Sequence, residues 1–407
     1  MKINSLLMAS AVALASASLV KADVTINITG ATAFRSAAST AIKNAFTSVN
    51  YAYNGSSHTS ATYQIYKGSF PGVSGNTTIR TNWSGSVEGV RDLAQQNNIS
   101  FLPTSTTLSS AGTSNASTSG LDSAKANMAF SDIYAASTPY DNGSVTGTVA
   151  GIIAFRFVAN PSANGTLTNI TAQQFRGLAT NGNVKAYVFT GNSSHTTDVY
   201  LTGRNDGSGT RVTVLSETGH GYSQLVQQYK ATTTGSGNST VLTTLQLWPT
   251  ADGTNVSNIY NTDAAGNGGY SSGGTVATAL SGTSSSVQVK GATGSNIGST
   301  KPVFLVGYLG TNDSNTAVTN GAIALSYNGV SLAVNSGGIT NPGVIQYGAY
   351  TLWANEQLYW LTGTDTGDLG TVKTAILSGI PSNLGNAGLD ISTMVVSRSS
   401  DGGLVGE

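Results

Sequence analysis

Three short turns rich in glycine, serine and threonine hold the residues most suited to chemistry in this sequence. They are residues 29–32, 84–86 and 206–210, and each lies between extended residues and a predicted helix start. A helix start leaves backbone N–H groups unpaired and carries partial positive charge. Glycine lets a ligand approach the backbone, and hydroxyl groups add further donors. Each turn could therefore bind an oxyanion, although each is also explained as a simple helix cap.

An arginine accompanies the third turn. Arg204 stands four residues before Ser208, and its guanidinium offers a planar fork of donors that suits a tetrahedral oxyanion and stays charged. The alternative for Arg204 is an ordinary ion pair on the surface. In α/β proteins, ligands bind beyond the carboxyl ends of the strands. Separate turns can therefore converge on one anion there.

The elements that must position these turns alternate between apolar strands and helical patterns. Strands are predicted at residues 24–28, 63–66, 126–130, 149–159, 198–201 and 303–309, and a strand with helices at 347–361. Helices are predicted at residues 34–46, 170–178, 275–280 and 371–377. A further helix is predicted to begin at residue 85, and another to follow the third turn and end at residue 215. Residues 97–120, and residues 253–299 outside the helix, are predicted to be loops. This alternation indicates an α/β fold with parallel sheets.

The amino-acid composition excludes several classes of function. The 407 residues include 18 Lys+Arg and 18 Asp+Glu, only 9% are charged and 39% are hydrophobic, so a core is expected and disorder is not. Zero net charge without a basic cluster argues against nucleic acid. The absence of cysteine excludes a disulfide scaffold, a thiolate zinc site and a cysteine nucleophile. No metal-ligand spacing or paired carboxylates are found, so we expect no enzyme, metal or cofactor.

The first 22 residues predict export. Lys2 precedes an apolar run at 6–20, and Val20-Lys21-Ala22 resembles a small-residue cleavage site. The run is too short to span a bilayer, although a membrane anchor is the alternative interpretation. We expect cleavage after Ala22, a periplasmic or secreted protein and no stable membrane insertion.

The third turn resembles a known family. Residues 204–210 read Arg-Asn-Asp-Gly-Ser-Gly-Thr and resemble the R-x-D-G-S-G-T segment of periplasmic phosphate-binding proteins, the substrate-binding subunits of phosphate ABC transporters. Three other segments occur in the family's order. Residues 28–34 are similar to its G-A-T-F strand-turn, 85–90 to its G-S-S-G-G-V helix start, and 129–132 to its strand ending in G-A-S-D. The resemblance covers most of residues 24–360 at low density.

The resemblance implies a type II periplasmic-binding-protein fold, in which two α/β lobes are joined by crossover strands around a ligand cleft. The first lobe would be residues 24–153 plus 342–407, and the second 154–341. The implied phosphate ligands are Thr32, Phe34, Ser86 and Asp132 from the first lobe and Arg204, Ser208, Gly209 and Thr210 from the second. The family places threonine directly before phenylalanine, but here Ala33 precedes Phe34. The Thr32 hydroxyl therefore either still reaches the ligand or leaves one hydrogen bond missing.

Asp132 is the residue that would select the ligand. An ionised carboxylate only accepts hydrogen bonds. Phosphate carries at least one proton at neutral pH and sulfate carries none, so Asp132 can accept a bond from phosphate but repels sulfate. An unpaired charged acceptor beside an anion costs roughly 3 kcal/mol, about a hundred-fold in affinity. The alternative role for Asp132 is a helix cap.

Two functions of different class follow. The first is a monomeric binding protein that captures inorganic phosphate and delivers it to an inner-membrane ABC permease. The second is an extracellular structural or adhesive protein that has kept the fold. The low charge and the long Ser/Thr/Asn-rich loops support the second interpretation.

Overall fold

A mixed β-sheet forms the centre of the computed structural model, which describes residues 23–249, 264–385 and 387–407. The predicted signal segment, residues 1–22, lies outside the described residues, and so do residues 253–263 of the loop predicted at 253–299. The strands are β1 (Val24–Gly30), β2 (Ser48–Tyr53), β3 (Tyr63–Ser69), β4 (Asn76–Asn82), β5 (Asn98–Phe101), β6 (Asp122–Lys125), β7 (Met128–Ser131), β8 (Val145–Ala159), β9 (Asn169–Ile170), β10 (Asn183–Lys185), β11 (Asp198–Leu201), β12 (Tyr229–Thr234), β13 (Val241–Leu247), β14 (Gln288–Lys290), β15 (Val303–Gly310), β16 (Ile323–Ala324), β17 (Ser326–Tyr327), β18 (Val334–Asn335), β19 (Gly338–Ile339) and β20 (Trp353–Leu361).

Helices flank the sheet and begin at several strand ends. They are α1 (Arg35–Ala45), α2 (Ser86–Ala94), α3 (Ala172–Asn181), α4 (Tyr187–Thr190), α5 (Gly209–Glu217), α6 (Gly273–Leu280), α7 (Thr311–Thr319), α8 (Gly343–Gln346) and α9 (Gly367–Gly379). The predicted α/β class is confirmed. No helix in the described ranges is long and apolar enough to cross a bilayer.

One long strand joins the two halves of the sheet. In the described part of the chain, eleven strands form the main sheet in the order β10-β11-β15-β8-β20-β7-β1-β4-β3-β2, with β16 beside β8. The first part of β8 pairs with β20, and its last residues pair with β15. From Ala150 onwards every residue of β8 is buried, which agrees with its apolar sequence. The first half of the sheet is therefore β20-β7-β1-β4-β3-β2, the second half is β15-β11-β10, and β8 crosses between them.

The sheet is mixed, so the prediction of parallel sheets is wrong in part. β1 is parallel to β4 and β7, and β11 is parallel to β15. The crossing strands β8 and β20 run antiparallel to their neighbours, and β3 runs antiparallel to both β2 and β4. Short connections between consecutive strands favour antiparallel pairing, which explains the β2-β3-β4 edge.

Loop predictions were also too broad. Residues 97–120 contain β5, which pairs with β6, and residues 253–299 contain β14. The hairpin of β12 and β13 was not predicted. These strands give a weak sequence signal: β5, Asn-Ile-Ser-Phe, alternates over one short stretch only, and two adjacent threonines interrupt the alternation of β13.

Candidate anion-binding site

The first two turns meet at the carboxyl edge of the first half of the sheet. Parallel strands β7, β1 and β4 end side by side, and the turn at 84–86 follows β4. The Gly85 amide donates to Gly30 O at 2.9 Å, and the Ala31 amide donates to Phe130 O at 2.8 Å. Gly30 has φ +112°, and a Cβ there would lie 1.9 Å from Phe130 O. Only glycine permits this approach, which brings the three strand ends together.

Ser86 and Asp132 form the buried centre of this edge. Ser86 is the first residue of α2, and its hydroxyl donates a hydrogen bond to Asp132 Oδ1. Ser86 Oγ lies 3.4 Å from the Asp132 amide, which donates to it. Burial raises the pKa of Asp132, while the Ser86 hydrogen bond and the charge of Arg204 act in the opposite direction. The carboxyl group is thus held as a fixed, dry hydrogen-bonding group.

The third turn packs directly on this pair from the second half of the molecule. Ser208 is the N-cap of α5, and its hydroxyl accepts from the Arg211 amide at 3.4 Å. A Cβ on Gly209 would lie 1.6 Å from Asp132 Oδ1 and 2.6 Å from Ser86 Cβ. The Val87 amide donates to Gly207 O at 3.2 Å. The two halves are therefore in direct contact here.

Arg204 also links the two halves. Its Nε donates to Tyr270 O at 3.1 Å, and its Nη2 donates to Ser271 O at 2.9 Å and to Thr32 Oγ1 at 3.2 Å. Burial lowers the pKa of Arg204, whereas the charges of Asp313 and then Asp132 raise it. The Thr32 hydroxyl, displaced by one residue from the family's pattern, is engaged by this guanidinium.

Of the predicted residues, six lie in two sets of contacts: Ser86 and Asp132 contact the turn that holds Ser208 and Gly209, and Thr32 contacts Arg204. The other two occupy helix starts. Phe34 is the N-cap of α1, and its ring is fully buried beside Phe130, with ring centroids 6.0 Å apart. Only the backbone of Phe34 can therefore face a ligand. Thr210 is buried in the first turn of α5.

Two charged residues that were not predicted lie beside Arg204. Arg35 begins α1, and its buried Nε has no hydrogen-bond partner among the described residues. Asp313 is in the first turn of α7. Burial raises the pKa of Asp313, and the charges of Arg204 and Arg35 lower it. A cation in the first turn of a helix opposes the helix dipole, and this unfavourable placement is a signal that could have singled out Arg35.

A third unpredicted residue lies in the contact between the turns. A Cβ on Gly207 would lie 2.9 Å from the Glu88 carboxyl group, so this side chain packs against the third turn. Burial raises the pKa of Glu88 to about 7, which Arg91 opposes and Asp92 and Asp206 reinforce. In the described ranges, no group of three or more His, Asp or Glu side chains is placed to hold a metal ion.

No family model and no curated protein sequence matches this chain. Its fold is similar to that of a phosphate ABC transporter substrate-binding protein with bound phosphate from Clostridium perfringens, with 11% identity, 90% of this chain and 99% of that chain covered, and a TM-score of 0.47. An ABC-type phosphate transport receptor from Vibrio cholerae is 12% identical over 86% of this chain and 93% of that chain, with a TM-score of 0.45. PstS from Borrelia burgdorferi is 12% identical, with 88% of this chain and 92% of that chain covered and a TM-score of 0.39. At such identities, what this chain binds depends on its own residues.

Proposed function

We propose that this protein is a binding protein that captures inorganic phosphate between the two halves of its sheet. The observation that carries the proposal is the set of contacts joining Ser86 and Asp132 to Gly209, and Arg204 to Thr32. Helix starts, a hydroxyl and a guanidinium supply donors to an oxyanion. These donors come from both halves, so one ligand would bridge them.

Asp132 gives the site its selectivity. Its carboxyl group is buried beside Ser86, and a buried polar group that loses its partner is costly. When ionised, Asp132 accepts a bond from a protonated phosphate oxygen. Sulfate has no proton to give, so it leaves Asp132 unpaired and meets like-charge repulsion. We therefore propose phosphate rather than sulfate or molybdate as the ligand.

Binding requires the two halves to separate first. Gly209 lies against Asp132 and Ser86, and Gly207 lies against α2, so a phosphate ion reaches these groups only when the contact opens. The crossing strands β8 and β20 are the natural hinge, and their register shifts between Glu356 and Gln357. We propose lobes at residues 24–153 plus 342–407 and at 154–341, which close on the ligand.

The proposed cellular role follows from the leader sequence and the site. The protein would be a periplasmic or secreted monomer after cleavage behind Ala22, and it would deliver phosphate to an inner-membrane ABC permease. A structural or adhesive role is less supported. Asp132 and Arg204 are both nearly fully buried, and buried charges are costly. A display scaffold has no use for buried charges, whereas a ligand site uses them to bind its ligand.

Calorimetry on D132N tests the proposal. We expect the unaltered protein to bind phosphate and to reject sulfate by roughly a hundred-fold, the cost of one unpaired buried charge. Asparagine retains an acceptor for Ser86 but also presents donors, so D132N should lose most of this discrimination. The exposed Asp368 provides the control D368N, which should behave like the unaltered protein. Absence of phosphate binding, or discrimination unchanged in D132N, would contradict the proposal.

A further inference from the structure

A polar pocket opens beside Arg204, away from the contact between Ser86 and Gly209. Its volume is about 260 Å³, and it lies between the two halves. Its wall includes Thr32, Arg35 and Ser36 from the start of α1 and Asn312, Asp313 and Thr316 from the start of α7. Thr32 is also the residue that accepts from Arg204 Nη2. The pocket, named here the Arg35–Asp313 pocket, is therefore adjacent to the proposed phosphate site.

The two charged groups of this pocket call for opposite hydrogen-bonding partners. Arg35 can only donate, and its buried Nε lacks an acceptor among the described residues. A buried donor without a partner is unfavourable, so a ligand that brings an acceptor oxygen would be stabilised there. Asp313, when ionised, can only accept. A ligand that satisfies both must offer an acceptor and a donor close together.

The carboxyl group of Asp313 is fixed in this position. A Cβ on Gly273 would lie 2.0 Å from Asp313 Oδ2, so the carboxyl group rests against the start of α6. Asp313 is also the charged group that most strongly raises the pKa of Arg204, ahead of Asp132. Arg204 thus interacts with a carboxyl group on either side, one in the proposed phosphate site and one in the pocket.

We propose, resting on the function given above, that the cleft takes a phosphate monoester of a small polyol as its singly protonated monoanion, whose remaining P–OH group donates to Asp132, with the polyol in the Arg35–Asp313 pocket. A hydroxyl group donates and accepts, so it satisfies both Arg35 and Asp313. The remaining wall residues are almost all hydroxyl or amide side chains, which suit further hydroxyls. The volume far exceeds the about 30 Å³ of a water molecule, yet lies below the range of drug-sized pockets, about 300–1,000 Å³. A three-carbon polyol fits this size.

A second anionic group suits the pocket less well. Pyrophosphate would bring acceptors to Arg35, but it would place negative charge beside Asp313 with few protons to share. Like charges brought together in a buried site are unfavourable. The same chemistry that favours a protonated oxygen at Asp132 therefore favours a hydroxyl at Asp313.

Calorimetry on the full chain at about pH 5, where a phosphate monoester with a second pKa of about 6 still carries the proton that Asp132 requires, tests this inference with orthophosphate, glycerol 3-phosphate, glycerol and pyrophosphate as separate probes. We expect glycerol 3-phosphate to bind at least ten-fold more tightly than orthophosphate, and pyrophosphate to bind more weakly than the ester. R35Q should reduce the preference for the ester over orthophosphate to about parity. R176Q is the matched control, because Arg176 is exposed on α3, and it should keep the full preference.

The outcomes separate the two proposals. If orthophosphate binds and the ester binds no more tightly, the inference is wrong and phosphate capture stands. Pyrophosphate binding more tightly than the ester, or a preference for the ester that survives in R35Q, also overturns the inference. If neither orthophosphate nor the ester binds, phosphate capture itself is wrong. The melting temperature of R35Q, measured without ligand, shows whether this variant is folded.

Discussion

The turns before α2 and α5 have similar sequences and lie against each other, yet they use their serines differently. In the first, Gly85 is the N-cap and has φ +136°, so Ser86 is inside the helix and its hydroxyl donates to Asp132. In the second, Ser208 is itself the N-cap, and its hydroxyl accepts from the Arg211 amide. A shift of one residue in the helix start decides whether a serine caps its own helix or contacts its neighbours.

Glycine serves the same purpose in both turns. A Cβ on Gly85 would lie 2.6 Å from Gly207 O, and one on Gly209 would lie 1.6 Å from Asp132 Oδ1. Both positions lie where the halves touch, and neither has room for a side chain. The turns therefore share a close approach of their backbones while their serines have separate roles.

The largest effect is expected from G209A. An added methyl group would overlap Asp132 and Ser86, and overpacking of this kind costs about 1–3 kcal/mol. Closure of the two halves should weaken by that amount, which lowers phosphate affinity by roughly 5- to 150-fold. Calorimetry measures the affinity, and thermal unfolding shows whether the variant is folded.

Gly177 provides the control for G209A. It lies inside α3, and a Cβ there meets nothing within 4 Å. G177A should leave phosphate affinity unchanged and raise the free energy of unfolding by about 0.5–1 kcal/mol, since alanine is the better helix former. If G209A binds phosphate as tightly as G177A does, the contact between the turns is not the closing surface.

The sequence predicted the apolar strands well and the polar ones poorly. β11 was predicted with its observed bounds, and the strand predicted at 149–159 covers most of β8, because both contain apolar runs. β4 was missed because its sequence, Asn-Thr-Thr-Ile-Arg-Thr-Asn, is polar, yet every residue after Asn76 is buried. Its side chains are hydrogen-bonded instead: Arg80 Nε donates to Asn27 Oδ1 at 2.9 Å. Partners far away in sequence make this burial possible, and no local pattern reveals them.

The residues of the candidate site also divide into those that the sequence predicted and those that it did not. Arg204, Ser208 and Gly209 stand in one short motif, so the sequence alone predicted that they lie together. Arg35 and Asp313 belong to α1 and α7, which are far apart in the sequence, and they line one pocket only because the two halves close on each other. Arg35 directly follows the strand-turn at 28–34, but no motif surrounds Asp313. Their pairing is a property of tertiary structure, which the strand and helix patterns do not contain.

A pair of serine variants sharpens the comparison between the turns. S86A removes the donor to Asp132, and a hydrogen bond to a charged group contributes about 1.5–3 kcal/mol, so phosphate affinity should fall at least ten-fold. S208A removes an N-cap, which should lower the free energy of unfolding by about 1 kcal/mol. Calorimetry and chemical denaturation measure both quantities. Equal losses of affinity in S86A and S208A would show that the two serines have the same role.

The last prediction concerns the pH dependence that Glu88 adds to the same contact. Its pKa is raised from 4.5 to about 7, chiefly by burial. Between these values the folded protein holds a proton that the unfolded chain has lost. The free energy of unfolding should therefore fall as pH rises from 4.5 towards 7, and level off above. E88Q keeps the shape of the side chain without titrating, so its stability should fall less over this range.

A second carboxyl group, that of Asp401, contributes to the same pH dependence and must be separated from Glu88. Burial also raises the pKa of Asp401 to about 7, so it adds a slope of the same sign, and that slope persists in E88Q. Only the difference between the unaltered protein and E88Q, followed by denaturation at several pH values, reports on Glu88. D401N should remove the part of the slope that Asp401 adds and leave that of Glu88. Suppose that the free energy of unfolding depends on pH equally in E88Q and in the unaltered protein. Glu88 is then not buried against Gly207 in solution, and the two turns do not pack closely at this residue.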